Sequence, residues 1–181
     1  DHRKLNTKNH VYYLKNKDSS NILFNFKFSS SIGYLGQNSE ELISQIKKNN
    51  DLSMVLANTN IISGSIICHT RWASVGLINN DNCHPISNIS SLKSDLPYIH
   101  AFVNGDIYNY TDILSSKKYN KNKFLNNKTT SDSLSIPYLF SDKKIKFNDN
   151  NIKKKLKKLI GSYAFALETI TEPNKVLISK S

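Results

Sequence analysis

Arginine is scarce in this sequence: 25 residues are Lys or Arg, and only Arg3 and Arg71 are arginine. Arg71 stands beside the lone tryptophan, Trp72, in the stretch CHTRWASVGLINNDNCHP, residues 68–85. A guanidinium can hold a carboxylate through two parallel charge-assisted hydrogen bonds, which an ammonium cannot match. In a chain that otherwise chooses lysine, Arg71 is therefore a candidate for gripping a carboxylate, with a structural arginine as the alternative. Trp72 is either a pocket wall or core. Ser74 adds a hydroxyl, and His69 and His84 flank the stretch as hydrogen-bonding residues around a loop. Further on, Asn104-Gly105 pairs a side-chain amide with a residue free to take unusual backbone angles, or forms a plain turn. Asp132 is a carboxylate near a helix start, where capping is its competing role. Cys68 and Cys83 have no metal-ligand spacing and are too few for a disulfide framework; they fit a reducing compartment and read as buried, weakly polar packing residues.

The elements that must position these residues follow from periodicity. HVYYL (10–14) and ILFNFKF (22–28) read as strands joined by a polar turn, with Ile22, Phe24, Phe26 and Phe28 on one face. QNSEELISQIKK (37–48) starts a helix with Asn38 as cap, Glu41 in capping-box position and an apolar stripe of Leu42, Ile43 and Ile46. ISGSIICHTRWA (62–73) is a strand candidate, and so is LPYIHAFVNGDIYNY (96–110), broken at Asn104-Gly105. TDILSS begins a short helix. Residues 117–130 are a low-complexity surface loop. SDSLSIPYLFS (131–141) is helical, with Ser131 or Asp132 near its start and Pro137 disturbing it. NNIKKKLKKLIG (150–161) is a basic amphipathic helix with Ile152, Leu156, Leu159 and Ile160 on its apolar side and Gly161 as its stop. SYAFALETI and NKVLISKS form a hairpin turned at TEPN. Strands, helix, strands, helices, strands: the order predicts an α+β layered domain with antiparallel sheet. No G-x-G-x-x-G follows a strand, which argues against a dinucleotide fold.

The length of 181 residues fits one ordinary domain, and no apolar run is long enough to span a bilayer. The net charge of +11 is nearly all lysine, in company with abundant Asn and Ile. These residues share AT-rich codons, so biased coding explains the basicity, and the shortage of arginine argues against a nucleic-acid partner. Three Asn-x-Ser/Thr triplets, at Asn88, Asn109 and Asn127, are expected by chance in so Asn-rich a chain.

In sequence order, HTRWAS-V-G, then Asn82, His84 and Pro85, then VNGDIYNY, TTSDS and IGSYAFALE resemble the class II glutamine amidotransferase domain. HTRWAS with the downstream HP is most similar to the aminotransferases that make glucosamine 6-phosphate from fructose 6-phosphate; NGDIYNY is also similar to asparagine synthetase. The resemblance implies a four-layer α/β/β/α N-terminal-nucleophile hydrolase sandwich of antiparallel sheets, here truncated at both ends. It implies that Arg71 holds the carboxylate of glutamine, Asp132 its ammonium, and that Ser74 and Trp72 line the same site. Asn104 and Gly105 would form the oxyanion hole, through a side-chain NH₂ and a backbone N–H. No cofactor and no metal are implied. The implied partners are glutamine and a sugar-isomerase domain in the same full-length chain, through which the protein forms a homo-oligomer. Nucleic acid and membrane are not among them, and the setting is cytoplasmic.

The sequence departs from the family pattern in places. Val75 and Val103 stand where histidines are common, and Leu134 replaces an acid. In the family the nucleophile is a cysteine at the mature N-terminus whose own amine is the general base. Neither Cys68 nor Cys83 matches it. Asp-His-Arg at 1–3 resembles a segment downstream of that cysteine, with Lys4, Asn6 and Asn9 where Gly, Asp and Gly are expected. Residues 1–181 are therefore expected to be a partial glutaminase domain lacking the N-terminal Cys segment. A catalytically degenerate glutaminase fold kept for binding or assembly is the alternative.

Overall fold

The computed structural model describes residues 10–15, 20–30, 36–58, 60–61, 64–71, 77–88, 98–116, 128–141, 146–147, 149–169, 172 and 174–181. Its contacts divide the chain into two units, Asp1–Cys68 with Ile78–Cys83, and His69–Leu77 with His84–Ser181.

The first unit opens with the expected hairpin. Strand β1 (His10–Lys15) pairs antiparallel with β2 (Ser20–Asn25), His10 opposite Asn25 and Lys15 opposite Ser20. The strand stops at Asn25, short of the predicted Phe28. Asn25 is buried while Ile22, Phe24 and Phe28 are partly exposed, which reverses the expected polarity of the two faces. The cause lies in what residues 26–29 bind. Ser29 donates to Asn80 Oδ1 at 2.8 Å and the Phe28 carbonyl accepts from Cys83 Sγ at 3.6 Å. This segment is tied to the 3₁₀ turn Asn80–Asn82 and not to a strand partner, so period-two alternation no longer governs it.

Helix α1 (Gln37–Lys47) forms where expected, but its N-cap is Gly36 at φ 92°. Asn38 instead accepts a hydrogen bond from Ser30 Oγ at 2.6 Å. Helix α2 (Asn50–Asn58) was not predicted, although Asn49 Oδ1 accepts from the Leu52 N–H at 2.8 Å in the manner of a helix cap. Residues 64–71 form no strand, and Ile66 is 91% exposed. A β-branched run becomes a strand only where a neighbouring ladder receives it, and none does so among the described residues.

The second unit is a four-stranded antiparallel sheet in the order β3-β4-β5-β6. The strands are β3 (Ile86–Ser87), β4 (Ile99–Ile107), β5 (Gly161–Thr169) and β6 (Val176–Lys180). The α+β class with antiparallel sheet is thus as predicted, and the β5–β6 hairpin is too. Strand β4 does not break at Asn104-Gly105; it runs on to Ile107, with Gly105 opposite Tyr163. Alternate residues Ile99, Ala101, Val103 and Ile107 of β4 and Phe165 and Leu167 of β5 face one core. Helices close over it: α3 (Tyr110–Ser115) through Ile113, α4 (Ser135–Leu139) through Ile136 and Leu139, and α5 (Asp149–Leu156) through Ile152.

Pro137 sits within the first turn of α4, where its missing N–H is no loss. Helix α5 ends at Leu156, and Gly161 opens β5 instead of stopping the helix. Leu159 is buried but Ile160 is 61% exposed, outside the apolar side assigned to it. Two of the Asn-x-Ser/Thr asparagines have structural work. Asn88 is fully buried, accepting from the Ile99 N–H at 2.9 Å and donating to Ser141 Oγ at 2.8 Å. Asn109 joins the start of α3 to the start of β5: its amide donates to the Lys158 carbonyl at 2.8 Å and accepts from the Ile160 N–H at 2.9 Å. Asn127 and residues 117–127 of the predicted loop lie outside the described residues. Among the described residues no helix is long and apolar enough to cross a membrane.

Candidate active site

The antiparallel ladder decides which way each β4 peptide points. The Ile99 carbonyl accepts from the Asn88 N–H on the β3 side, at 3.1 Å. Alternation then turns the main-chain groups of Ala101 and Val103 to that same side. Strand β3 pairs only as far as Ile86 opposite Ala101, so the far half of β4 projects past its neighbour. Its burial changes there: Ile99 to Val103 are buried, Asn104, Gly105 and Asp106 are exposed, and Ile107 is buried again.

Gly105 has φ 100°, a conformation that L side chains rarely adopt. A Cβ on it would also run into the Ser162 carbonyl of β5, and one on Gly161 into the Asp106 carbonyl. Two glycines therefore let β4 and β5 approach closely where Asn104 is presented.

Asp132 is brought to this strand end from a separate element. It begins the 3₁₀ turn Asp132–Leu134, whose cap is the Ser131 hydroxyl, accepting from the Ser133 N–H at 3.3 Å. Asp132 Oδ2 accepts from the Ile107 N–H at 2.8 Å, and Oδ1 accepts from Ser131 Oγ at 3.2 Å. The carboxylate is buried, two residues along β4 from Gly105. The capping role thus falls to Ser131, and the side chain of Asp132 binds the strand.

The opening motif reaches the same strand at Val103. His69 hydrogen-bonds the Val103 main chain, and its ring lies 6.3 Å from Phe102 and 4.2 Å from His84. Burial holds the His69 pKa below the usual histidine range, the Val103 bond opposes this, and the Arg71 charge adds to the lowering. Arg71 is half-buried. Trp72 and Ser74 lie outside the described residues, as do Val75 and Gly76. The structure therefore places Asn104 and Gly105 on β4, with Asp132 bonded to the same strand at Ile107 and His69 bonded to it at Val103. The Ile107 N–H and the His69–Val103 bond were missed by sequence reading; neither has a residue-type signal, since both depend on which way a strand peptide faces.

Neither cysteine is fully buried, contrary to expectation. Cys68 is exposed, and Cys83 Sγ donates to the Asn79 carbonyl at 3.4 Å as well as to Phe28. Among the described residues no group of three or more His, Cys, Asp or Glu side chains could hold a metal.

Sequence comparison adds to this geometry. Motifs and matches together define the chain as a glutamine amidotransferase-like domain. Its relatives carry one name, glutamine–fructose-6-phosphate aminotransferase (isomerizing). The chain is 30% identical to that of Fusobacterium nucleatum over 155 residues, 84% of its own length. It is 32% identical to that of Aquifex aeolicus over 111 residues, 61% of the chain, and 34% identical to that of Clostridium acetobutylicum over 123 residues, 65% of the chain. These matches span 24%, 17% and 18% of the relatives' own lengths, so the chain corresponds to a quarter of them or less. No family model matches the chain.

Proposed function

We propose that this domain hydrolyses glutamine to glutamate and ammonia, and that the ammonia passes to fructose 6-phosphate to give glucosamine 6-phosphate. The observation that carries the reading is the exposed Asn104-Gly105 pair, with Gly105 at φ 100° and Asp132 bonded to the Ile107 N–H two residues further along β4. The names of the relatives support the acceptor and favour it over asparagine synthesis.

Attack on the side-chain amide of glutamine makes a tetrahedral oxyanion. Donors already aimed at that oxygen stabilise it without reorganising. In this reading the donors are the Asn104 side-chain NH₂ and the Gly105 N–H. The Arg71 guanidinium holds the α-carboxylate, Asp132 serves the ammonium, and Trp72 and Ser74 complete the pocket. The nucleophile in this reading is the family's N-terminal cysteine, which neither Cys68 nor Cys83 matches, and its own amine moves the proton. The domain belongs in this reading to a four-layer sandwich, in a full-length cytoplasmic chain that also carries a sugar-isomerase domain and forms a homo-oligomer.

A second reading, a glutaminase fold retained for binding, is favoured by one observation: both carboxylate oxygens of Asp132 already accept hydrogen bonds. The two part on a direct assay. The full-length protein given glutamine and fructose 6-phosphate should release glutamate and glucosamine 6-phosphate in equal amounts. Glutamine binding without glutamate release would select the second reading.

A further inference from the structure

Strand β4 loses its β3 neighbour just before the residues that present the oxyanion donors. A ladder carbonyl past the end of its partner strand must find another donor or stay wet. Val103 is that residue, since β3 pairs no further than Ala101, and an imidazole takes the place of the missing strand. We propose that His69 is a positioning residue: its ring, backed by His84, fixes the β4 main chain at Val103 and so orients the adjoining Asn104-Gly105 pair. The proposal rests on the reading of that pair as oxyanion donors.

The atoms support it. Among the described residues His69 Nδ1 is buried and has no hydrogen-bond partner. The nitrogen that meets Val103 is therefore Nε2, and because a carbonyl only accepts, Nε2 carries the proton. A neutral ring with one N–H satisfies this arrangement. Its other neighbours keep it neutral: burial disfavours the cation, and so does the Arg71 charge. His84, 8% exposed, packs its ring at 4.2 Å and 50° to that of His69, leaving the imidazole little room to swing away. The bond reaches the peptide that joins Val103 to Asn104, so loss of it frees the base of the Asn104 side chain. His69 itself need not touch glutamine.

The test uses the full-length protein and glutamine. His69→Phe keeps the ring and removes the donor; His69→Gln restores an amide N–H of similar reach. Displaced donors cost rate more than binding, so His69→Phe should lower kcat about 10- to 100-fold while KM changes less than about twofold. His69→Gln should recover most of kcat. An unchanged kcat in His69→Phe, a KM that rises in step with the loss, or a glutamine variant no better than phenylalanine would overturn the proposal. If His69→Phe does not fold, His69→Asn, an amide too short to reach the carbonyl, takes its place. The Gly105 amide resonance of ¹⁵N-labelled protein gives a readout that needs no activity. It should move in His69→Phe and return in His69→Gln; a resonance unmoved in both contradicts the proposal. A wild-type protein with no glutaminase activity sinks the functional reading, and the resonance still decides the role of His69.

Discussion

Arg71 and Lys27 are both cations in partly buried places, and their physics differs. A guanidinium stays charged and offers a fork of donors; an ammonium in such a place gives up charge. Lys27 is half-buried, and burial lowers its pKa from 10.5 to about 8 against the attraction of Cys83 and Asp81. Between those two values the unfolded state binds more protons than the folded one, so this group's contribution to stability rises with pH. Lys27→Met should therefore raise the melting temperature at pH 7, and the gain should shrink as the pH climbs through 8 towards 10.5. A gain independent of pH would show that the ammonium was never desolvated. At Arg71 the corresponding substitution tests substrate binding. Arg71→Lys in the full-length protein should raise KM for glutamine at least about tenfold, because a point charge replaces a bidentate fork, and should leave folding intact. An unchanged KM removes Arg71 from the site.

At the level of elements, legibility depended on periodicity. The β5–β6 hairpin, α1 and α3 were read within two residues at their ends, and α5 was read from its apolar pattern but ends at Leu156, short of Gly161. Elements set by their neighbours were not. Residues 64–71 have strand-like composition but no ladder, and β3 is two residues long with no pattern to see. Asn-Gly was read as a turn because the pair favours one, yet Gly105 stays in the strand since β5 approaches too closely for any side chain. Asn104, Gly105 and Asp132 were candidates by residue type; the contact of Asp132 with the Ile107 N–H, which joins two elements, had no signal in the sequence. The strand geometry makes a prediction of its own. Gly105→Ala combines a strained φ with a clash against main chain, so it should destabilise the domain by about 2 kcal/mol or more and abolish glutamate release. Denaturant unfolding measures the first effect; wild-type stability would mean that the positive φ is not required.

For the whole molecule, the +11 charge is nearly all lysine, and the proposed chemistry draws on one arginine and one strand end instead. The chain corresponds to a quarter or less of the length of the relatives it matches, and the activity in their name is tested on the whole protein. The most direct measurement is the steady-state kinetics of Asn104→Ala in that protein, with glutamine as the varied substrate. If Asn104 donates to the oxyanion, kcat falls about 10²- to 10³-fold and KM for glutamine changes little. An unchanged kcat with weakened glutamine binding would contradict the account and leave Asn104 as a residue that only positions substrate.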